Sequence, residues 1–80
     1  MRQPSELLER ARANPQSLSF RELERLMAAL GYVLDRQSGS HRIYRCRGLP
    51  IINLQSGKDA KPYQVRQVLG IIDEYALEVE

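Results

Sequence analysis

Residues 31–54, GYVLDRQSGSHRIYRCRGLPIINL, decide the fold because they hold three short β-prone runs joined by two turns. The runs cover 32–36, 41–47 and 51–54, and the links are 38–40 (SGS) and 48–50 (GLP). Serine, glycine and proline are residues that turns favour. Strands joined by such short links must run antiparallel. The stretch therefore predicts a three-stranded antiparallel meander.

A helix is predicted directly before the meander. Residues 19–22, SFRE, have the pattern of a capping box, in which a serine and a glutamate satisfy the first free backbone N–H groups. Gly31 lies where a helix often ends in the left-handed conformation. Apolar residues at helical spacing give this helix one buried stripe (Phe20, Leu23, Met27, Leu30).

A second long helix is predicted after the meander, from Pro62 onward. Proline is favoured at the first position of a helix, and the apolar residues from Val65 to Ala76 again have helical spacing. Gly70 inside this helix costs up to about 1 kcal/mol relative to alanine. We therefore expect Gly70 to lie at a close crossing with the sheet or with the other long helix.

Residues 5–13 predict a third, short helix that Ser5 caps and Asn14-Pro15 ends. The sequence leaves open whether this helix packs on the domain or on a partner. We divide the chain into an N-terminal helical extension, 1–18, and a main domain, 19–80. With the two long helices on one sheet face, the predicted fold is a two-layer α+β sandwich of order α-β-β-β-α plus the extra helix.

Length and composition exclude several classes of protein. The 80 residues allow one domain at most. No apolar run approaches the roughly 20 residues that span a bilayer, and charges at Arg2, Glu6 and Glu9 are untypical of a signal peptide. Cys46 is the single cysteine and has no disulfide partner within the chain. We expect a cytoplasmic protein that does not interact with membranes.

The basic residues are concentrated in the middle of the chain. Net charge is +2 overall, but residues 35–66 carry +5, whereas residues 1–34 carry +1 and residues 67–80 carry −4. Most of the cations are arginines, which bind phosphate with two N–H groups and stack on bases. This distribution favours RNA as a partner. The alternative is a solvated basic surface that binds nothing.

Alternation along the second β-prone run separates two sets of side chains. His41, Ile43, Arg45 and Arg47 share one face of the predicted strand. The other face carries Arg42, Tyr44 and Cys46. We expect Tyr44 and Cys46 to pack against the helices, which leaves His41 and two arginines on the open face. The apolar side chain of Ile43 on that face suggests that a partner covers it.

His41 is the only histidine, and histidine exchanges protons near neutral pH. Cleavage of RNA by its own 2′-hydroxyl needs a base, an acid and positive charge at the phosphate. One histidine performs a single proton transfer at a time, so Lys58, Lys61, Tyr63 or an arginine would have to assist. The alternative is that His41 merely begins a strand and bonds to Ser38 or to a backbone carbonyl.

Lys58 and Lys61 precede the last helix, where the helix dipole disfavours cations. Lysines and the free N–H groups of a helix start can together bind phosphate, and Arg66 follows one turn later on the side of Pro62. The alternative is an ordinary solvated loop. The sequence has no metal-ligand cluster, no glycine-rich nucleotide loop and no nucleophile elbow, so we expect no cofactor.

Three elements of the sequence resemble the HicA family, small bacterial toxins of toxin–antitoxin modules. They are Gly31-Tyr32, the segment 39–45 (GSHRIYR), and Lys61-Pro62 ahead of Arg66. The resemblance extends from about 14 to 75 and implies a fold similar to double-stranded-RNA-binding domains. The family's functional histidine matches His41, and the basic start of its last helix matches Lys58 and Lys61. The N-terminal helix and the loop 55–60 depart from the family pattern.

The resemblance implies a metal-independent endoribonuclease that cleaves mRNA with His41 as general acid or base. It also implies a HicB-type antitoxin, whose partly degraded RNase H-like domain masks the toxin. The expected RNA-binding residues are Ser40, Arg42, Arg45, Arg47, Lys58, Lys61 and Arg66. The alternative is a non-catalytic RNA-binding module that grips A-form RNA, which the lack of a second obvious proton-transfer residue favours. A third reading makes the open face a protein-contact surface only.

Overall fold

The computed structural model describes residues 3–79. The ends of the two predicted ranges 1–18 and 19–80 therefore lie outside the described part, namely Met1, Arg2 and Glu80. The elements are helix α1 (Pro4–Ala13), a 3-10 turn (Pro15–Ser17), helix α2 (Phe20–Ala29), strands β1 (Val33–Ser38), β2 (His41–Arg45) and β3 (Ile52–Gln55), and helix α3 (Pro62–Glu74). The predicted α+β fold and its α-β-β-β-α order are confirmed.

The capping box at the start of α2 forms as predicted. The Ser19 hydroxyl accepts the backbone N–H of Glu22 at 3.1 Å, and the Glu22 carboxylate accepts the backbone N–H of Ser19 at 3.0 Å. That backbone hydrogen bond is the main cause that holds the pKa of Glu22 below its ordinary value. After α2, Gly31 has a φ of +102°, the left-handed conformation that the end of this helix was predicted to need.

The sheet is an antiparallel meander in the order β1-β2-β3. Strand β1 pairs with β2 through Leu34↔Tyr44 and Arg36↔Ile43, so Asp35 is an extra residue that forms a β-bulge. The alternation of residues in this run did not predict the bulge. Because the bulge shifts the alternation, Val33 and Arg36 share one face of the sheet although they are three residues apart.

The core lies between the helices and one face of the sheet. Tyr44, Ile52 and Leu54 are the buried residues of the sheet, and Ile52 and Leu54 alternate with exposed neighbours along β3. The helices contribute apolar side chains that are almost fully buried (among them Leu23, Leu26, Met27, Val65, Val68). The two-layer arrangement follows from burying the apolar side of each element against the other.

Helix α1 packs on the domain, which answers a question that the sequence left open. Leu7 and Ala11 have no exposed surface and belong to the same apolar cluster as the core of the sheet. Two ion pairs add to this contact: Arg10 with Glu22 at 2.6 Å and Arg12 with Asp73 at 2.7 Å. The separation of 1–18 as an extension of the main domain stays a prediction.

Two predictions about the helices are wrong. Ser5 does not cap α1, because the helix already begins at Pro4, which takes the first-turn position that suits proline. Gly70 does not lie at a close crossing: it is exposed, and a Cβ built on it meets no atom within 4 Å. Within residues 3–79, no helix is long and apolar enough to cross a membrane.

Candidate nucleic-acid interface

The sheet has an open face, which we define as the side away from the helices. Residues paired in an antiparallel sheet point to the same side, so the register assigns its members around His41, Ile43 and Arg45. Their neighbours are Val33, Arg36 and Ser38 on β1 and Asn53 and Gln55 on β3. The face parity predicted for 41–45 agrees with this register and with the burial of Tyr44.

His41 is exposed at the first position of β2, directly after the turn that joins β1 to β2. Gly39 in this turn has a φ of +59°, a conformation that glycine adopts without strain. Ser38 and Gln55 flank His41 in the two neighbouring strands. Its imidazole forms no hydrogen bond with Ser38 or with any other group between residues 3 and 79. The ring is therefore accessible to a ligand.

The basic start of α3 lies at the same end of the sheet as His41. The side-chain amide of Gln64 donates to the backbone carbonyl of Gln55 at 3.1 Å, and its carbonyl accepts the backbone N–H of Lys61 at 3.0 Å. The backbone N–H of Ser56 donates to the carbonyl of Ser40 at 2.7 Å. Since Gln55 is the register partner of His41, these bonds tie the first turn of α3 to the strand position that neighbours the histidine.

The loop that carries Lys58 is tied to the start of α2. The backbone N–H of Phe20 donates to the carbonyl of Lys58, and the N–H of Ala60 donates to the carbonyl of Leu18, both at 3.1 Å. The main chain of this loop is therefore fixed, while the side chains of Lys58 and Lys61 are exposed. Arg66 is also exposed, one turn into α3.

Gln64 is a positioning residue that the sequence analysis missed. Its side chain is 1% exposed, and it joins α3 to the end of β3 through the two bonds described above. Glutamine at the third position of a helix is a known partner of a helix N-terminus. Because lysine precedes the helix here in place of serine or threonine, the usual capping pattern is absent, and the role of Gln64 was not predicted.

Arg42 lies on the opposite side of β2 from His41. One guanidinium N–H donates to the Glu24 carboxylate at 2.7 Å, and the guanidinium carbon lies 5.6 Å from the centre of the Phe20 ring. The Tyr44 hydroxyl donates to the same Glu24 oxygen at 2.6 Å. Burial, and next the bond to Glu24, raise the pKa of Tyr44 to about 12. The structure therefore separates Arg42 from the open face.

The two other predicted arginines of this region lie far from His41 along the strand. Arg45 is exposed on the open face, and its Nε donates to the Asp35 carboxylate in the bulge at 2.7 Å. Arg45 lies four positions from His41 along the strand, which is roughly 13 Å. Arg47 is exposed in the turn after β2, because the strand ends at Arg45. The predicted run 41–47 was two residues too long, and its parity does not apply to Arg47.

Apolar side chains occupy the end of the open face around Arg45. Val33 is 64% exposed and Ile43 is half-buried. We call Val33 and Ile43 the open-face patch. Apolar side chains grouped on an exposed surface are typical of interaction sites. His41, Ile43 and Arg45 belong to one strand, so a partner bound to the patch approaches the histidine as well.

A groove of about 680 Å³ lies on the helix side of β1, away from His41. Met27, Leu34 and Tyr44 contribute apolar surface to it, and Glu24 contributes a carboxylate. This carboxylate is already bound to Arg42 and Tyr44. In the part of the chain from 3 to 79, no three His, Cys, Asp or Glu side chains are grouped closely enough to hold a metal ion.

Together, the fold and the site define a small two-layer α+β domain that presents one accessible histidine and several cations beside an uncovered sheet face. A family model described as "HicA toxin of bacterial toxin-antitoxin" matches residues 20–73, more than half of the chain. The chain belongs to the HicA toxin family, and it is thus a toxin of a toxin–antitoxin system for which the family implies a cognate antitoxin. No curated protein and no solved structure matches the chain significantly.

Proposed function

We propose that this toxin is a metal-independent endoribonuclease that cleaves mRNA with His41 as general acid or base. The observation that carries the proposal is the accessible imidazole, which has no intramolecular hydrogen bond within residues 3–79 and lies at the end of the sheet where the basic start of α3 is tethered. A proton-exchanging group beside exposed cations is what cleavage at a phosphodiester requires.

The reaction that this arrangement supports is internal transesterification. The 2′-oxygen attacks the adjacent phosphorus, the bond from phosphorus to the 5′-oxygen breaks, and the products are a 2′,3′-cyclic phosphate and a 5′-hydroxyl. His41 as base takes the proton of the 2′-hydroxyl, and a second group donates a proton to the departing 5′-oxygen. Lys58, Lys61 and Tyr63 are the candidates for that second group, because they belong to the loop and helix turn that follow Gln55, the register partner of His41.

The phosphates of the RNA backbone would bind to exposed polar and basic side chains around His41. Proposed contacts are Ser40, Arg45, Arg47, Lys58, Lys61 and Arg66. Arg42 belongs to the predicted set as well, but its guanidinium is bound to Glu24, so contact with RNA would require that bond to break. Binding that rests on such contacts weakens with salt because condensed counterions are released.

We propose that a HicB-type antitoxin inhibits the toxin by covering the open face. Val33 exposes 64% of its surface there, which favours a protein partner for this end of the sheet. Such a partner would bury apolar surface at the open-face patch and block access of RNA to His41 on the same strand. Masking by an antitoxin would therefore need no contact with the groove on the helix side.

The test is incubation of the purified toxin with mRNA fragments in the presence of EDTA. We expect cleavage without metal, and we expect His41→Ala to reduce the rate by at least about 100-fold, the usual contribution of an acid or base. Glu9→Gln, at an exposed position of α1, is the matched control and should cleave normally. Thermal unfolding of all three proteins shows whether the fold is intact.

The possible outcomes separate the proposal from its alternatives. Cleavage that EDTA abolishes would contradict metal independence, and full activity of His41→Ala would remove the histidine from the mechanism. RNA that is shifted but not cut by the normal protein would favour a non-catalytic RNA-binding module. The single histidine, with no second imidazole in the chain, is the observation that keeps this second function under consideration.

A further inference from the structure

Tyr63 is an aromatic residue on the surface that the fold does not explain. Its side chain is 58% exposed in the first turn of α3, and its hydroxyl makes no hydrogen bond among residues 3–79. The hydroxyls of the two buried tyrosines, in contrast, are both bonded: Tyr32 donates to the carbonyl of Pro50 at 2.7 Å, and Tyr44 donates to Glu24. Tyr63 therefore contributes little to the core, and its ring is free to contact a ligand.

Neighbouring residues connect Tyr63 to the candidate site. Gln64, the next residue, is bonded to the carbonyl of Gln55, and Gln55 is the register partner of His41. Tyr63 thus lies in the helix turn that is bonded to the strand next to His41. Tyr75, which is also exposed (43%), lies just after the opposite end of α3, about three turns away along the helix.

Cations lie on both sides of Tyr63 in sequence. Lys61 precedes it by two residues, and Arg66 follows at the three-residue interval that places helix side chains next to each other. All three side chains are exposed. A flat aromatic surface between groups that bind phosphate is the arrangement by which proteins hold single-stranded nucleic acid.

We propose that Tyr63 is a stacking surface for an unpaired base of the RNA, and that this toxin consequently binds its substrate as a single strand. This inference rests on the proposed function. Within a duplex, both sides of a base are covered by its neighbours, so an aromatic side chain can stack only on a base that is unpaired. Lys61 and Arg66 hold the phosphates on either side of that base, and the ring fixes its position relative to His41.

The test uses a fluorescent 2′-O-methyl oligouridine of about twelve nucleotides, within the site sizes of single-strand binders, because its blocked 2′-oxygen prevents cleavage. Its duplex with oligoadenosine is the second probe. Tyr63→Ala should weaken binding of the single strand by about 5- to 150-fold, the effect of losing one stacked base. Tyr63→Phe keeps the ring and should bind nearly normally, as should the control Tyr75→Ala.

Tyrosine fluorescence gives a second, independent signal, since the chain has four tyrosines and no tryptophan. Stacking should quench part of the emission when the oligonucleotide binds, and this part should be absent in Tyr63→Phe. Quenching of the same size in both proteins would contradict the stacking contact.

Each outcome of the binding experiment has a distinct meaning. Unchanged single-strand affinity in Tyr63→Ala overturns the inference, while RNA cleavage by the wild-type protein leaves the proposed function standing. Equal losses in Tyr63→Ala and Tyr63→Phe would assign the effect to the hydroxyl and overturn stacking. Preference of the normal protein for the duplex would also overturn it. If the wild-type protein neither binds nor cleaves RNA, the proposed function is wrong, and so is the inference.

Discussion

Arg42 and Arg45 lie three residues apart on the same strand, yet they are in opposite environments. Arg42 faces the helices, where Glu24 binds it and the Phe20 ring lies beneath it. Arg45 faces solvent on the open face and pairs with Asp35 of the bulge. The comparison shows that a high density of arginine does not by itself define a binding surface. Both arginines pair with a carboxylate at 2.7 Å, so strand alternation, which turns Arg42 toward the helices and Arg45 toward solvent, decides which cation stays accessible.

The two faces of the sheet also differ in the environment of their side chains. On the helix side, one Glu24 oxygen accepts hydrogen bonds from both Arg42 and Tyr44. On the open face, His41 has no side-chain hydrogen bond within residues 3–79, and Val33 exposes most of its surface. The helix side therefore stabilises the fold, whereas the open face carries groups that a ligand or partner can use.

The first prediction tests which face of the sheet the antitoxin covers, by comparing substitutions at two adjacent residues of β1. Val33 belongs to the open-face patch, and Leu34 points to the helix side. Both side chains are about half exposed or more. If the antitoxin covers the open face, Val33→Glu should weaken its binding by at least about 30-fold, as expected for a charge placed in an interface core. Leu34→Glu should change the affinity little.

Titration calorimetry with the protein encoded next to the toxin gene would measure both affinities. A greater loss in Leu34→Glu than in Val33→Glu would show that the antitoxin binds the groove on the helix side. The proposal that it masks His41 by covering the open face would then be wrong.

The second prediction concerns the helix side. Glu24→Ala removes the acceptor of the Tyr44 hydroxyl, whose side chain is only 5% exposed. A buried hydroxyl without a partner lowers the free energy of unfolding by about 1–3 kcal/mol. Urea unfolding would measure this loss, with the exposed Glu9→Ala as the control. RNA cleavage by the folded fraction should persist. A stability equal to that of Glu9→Ala would contradict the role given to Glu24.

The parts of the fold that depend on neighbouring residues were predictable from the sequence. The capping box of α2, the positive φ of Gly31 and the turn before His41 each require particular residues within a few positions. Alternation likewise predicted that Tyr44 and His41 lie on opposite sides of β2, since that rule holds along any regular strand.

Features that depend on distant residues were not predictable. The bulge at Asp35 is visible only once β1 is paired with β2. Arg42 and Glu24 are 18 residues apart in the chain, and no local pattern connects them. Gly70 was assigned to a close crossing on the basis of its helix propensity, but the helix exposes it. For the candidate site, the sequence shows which residue types are present. Only the tertiary structure shows which of these side chains are exposed and which lie near one another.

The third prediction compares the two arginines directly in RNA binding. Arg45→Ala should reduce the slope of log affinity against log salt by about 0.7, the value for one phosphate contact on a single strand. Arg42→Ala should leave the slope unchanged, because its side chain is only 27% exposed on the helix side and is bound to Glu24, whereas Arg45, bonded to Asp35 through Nε, is 55% exposed on the open face. The same 2′-O-methyl oligouridine serves as ligand at increasing KCl. A reduced slope in Arg42→Ala would mean that Arg42 leaves Glu24 to bind RNA.

The smallest expected effect is a dependence of stability on alkaline pH. The folded-state pKa of Tyr44 is about 12, above the ordinary 10.0, because burial and Glu24 disfavour the phenolate. The unfolded chain therefore loses this proton first. The corresponding stability is fully present below pH 10 and is lost as the pH rises toward 12.

Urea unfolding on either side of pH 10 can isolate this contribution. Burial also raises the pKa of Tyr32, so part of the decline should remain in Tyr44→Phe. The normal protein should lose more stability than Tyr44→Phe over the same interval, because the variant has no phenol to ionise at this position. Identical declines would show that the bond between Tyr44 and Glu24 does not hold the proton, and that the helix side of β2 is less fixed than its hydrogen bonds indicate.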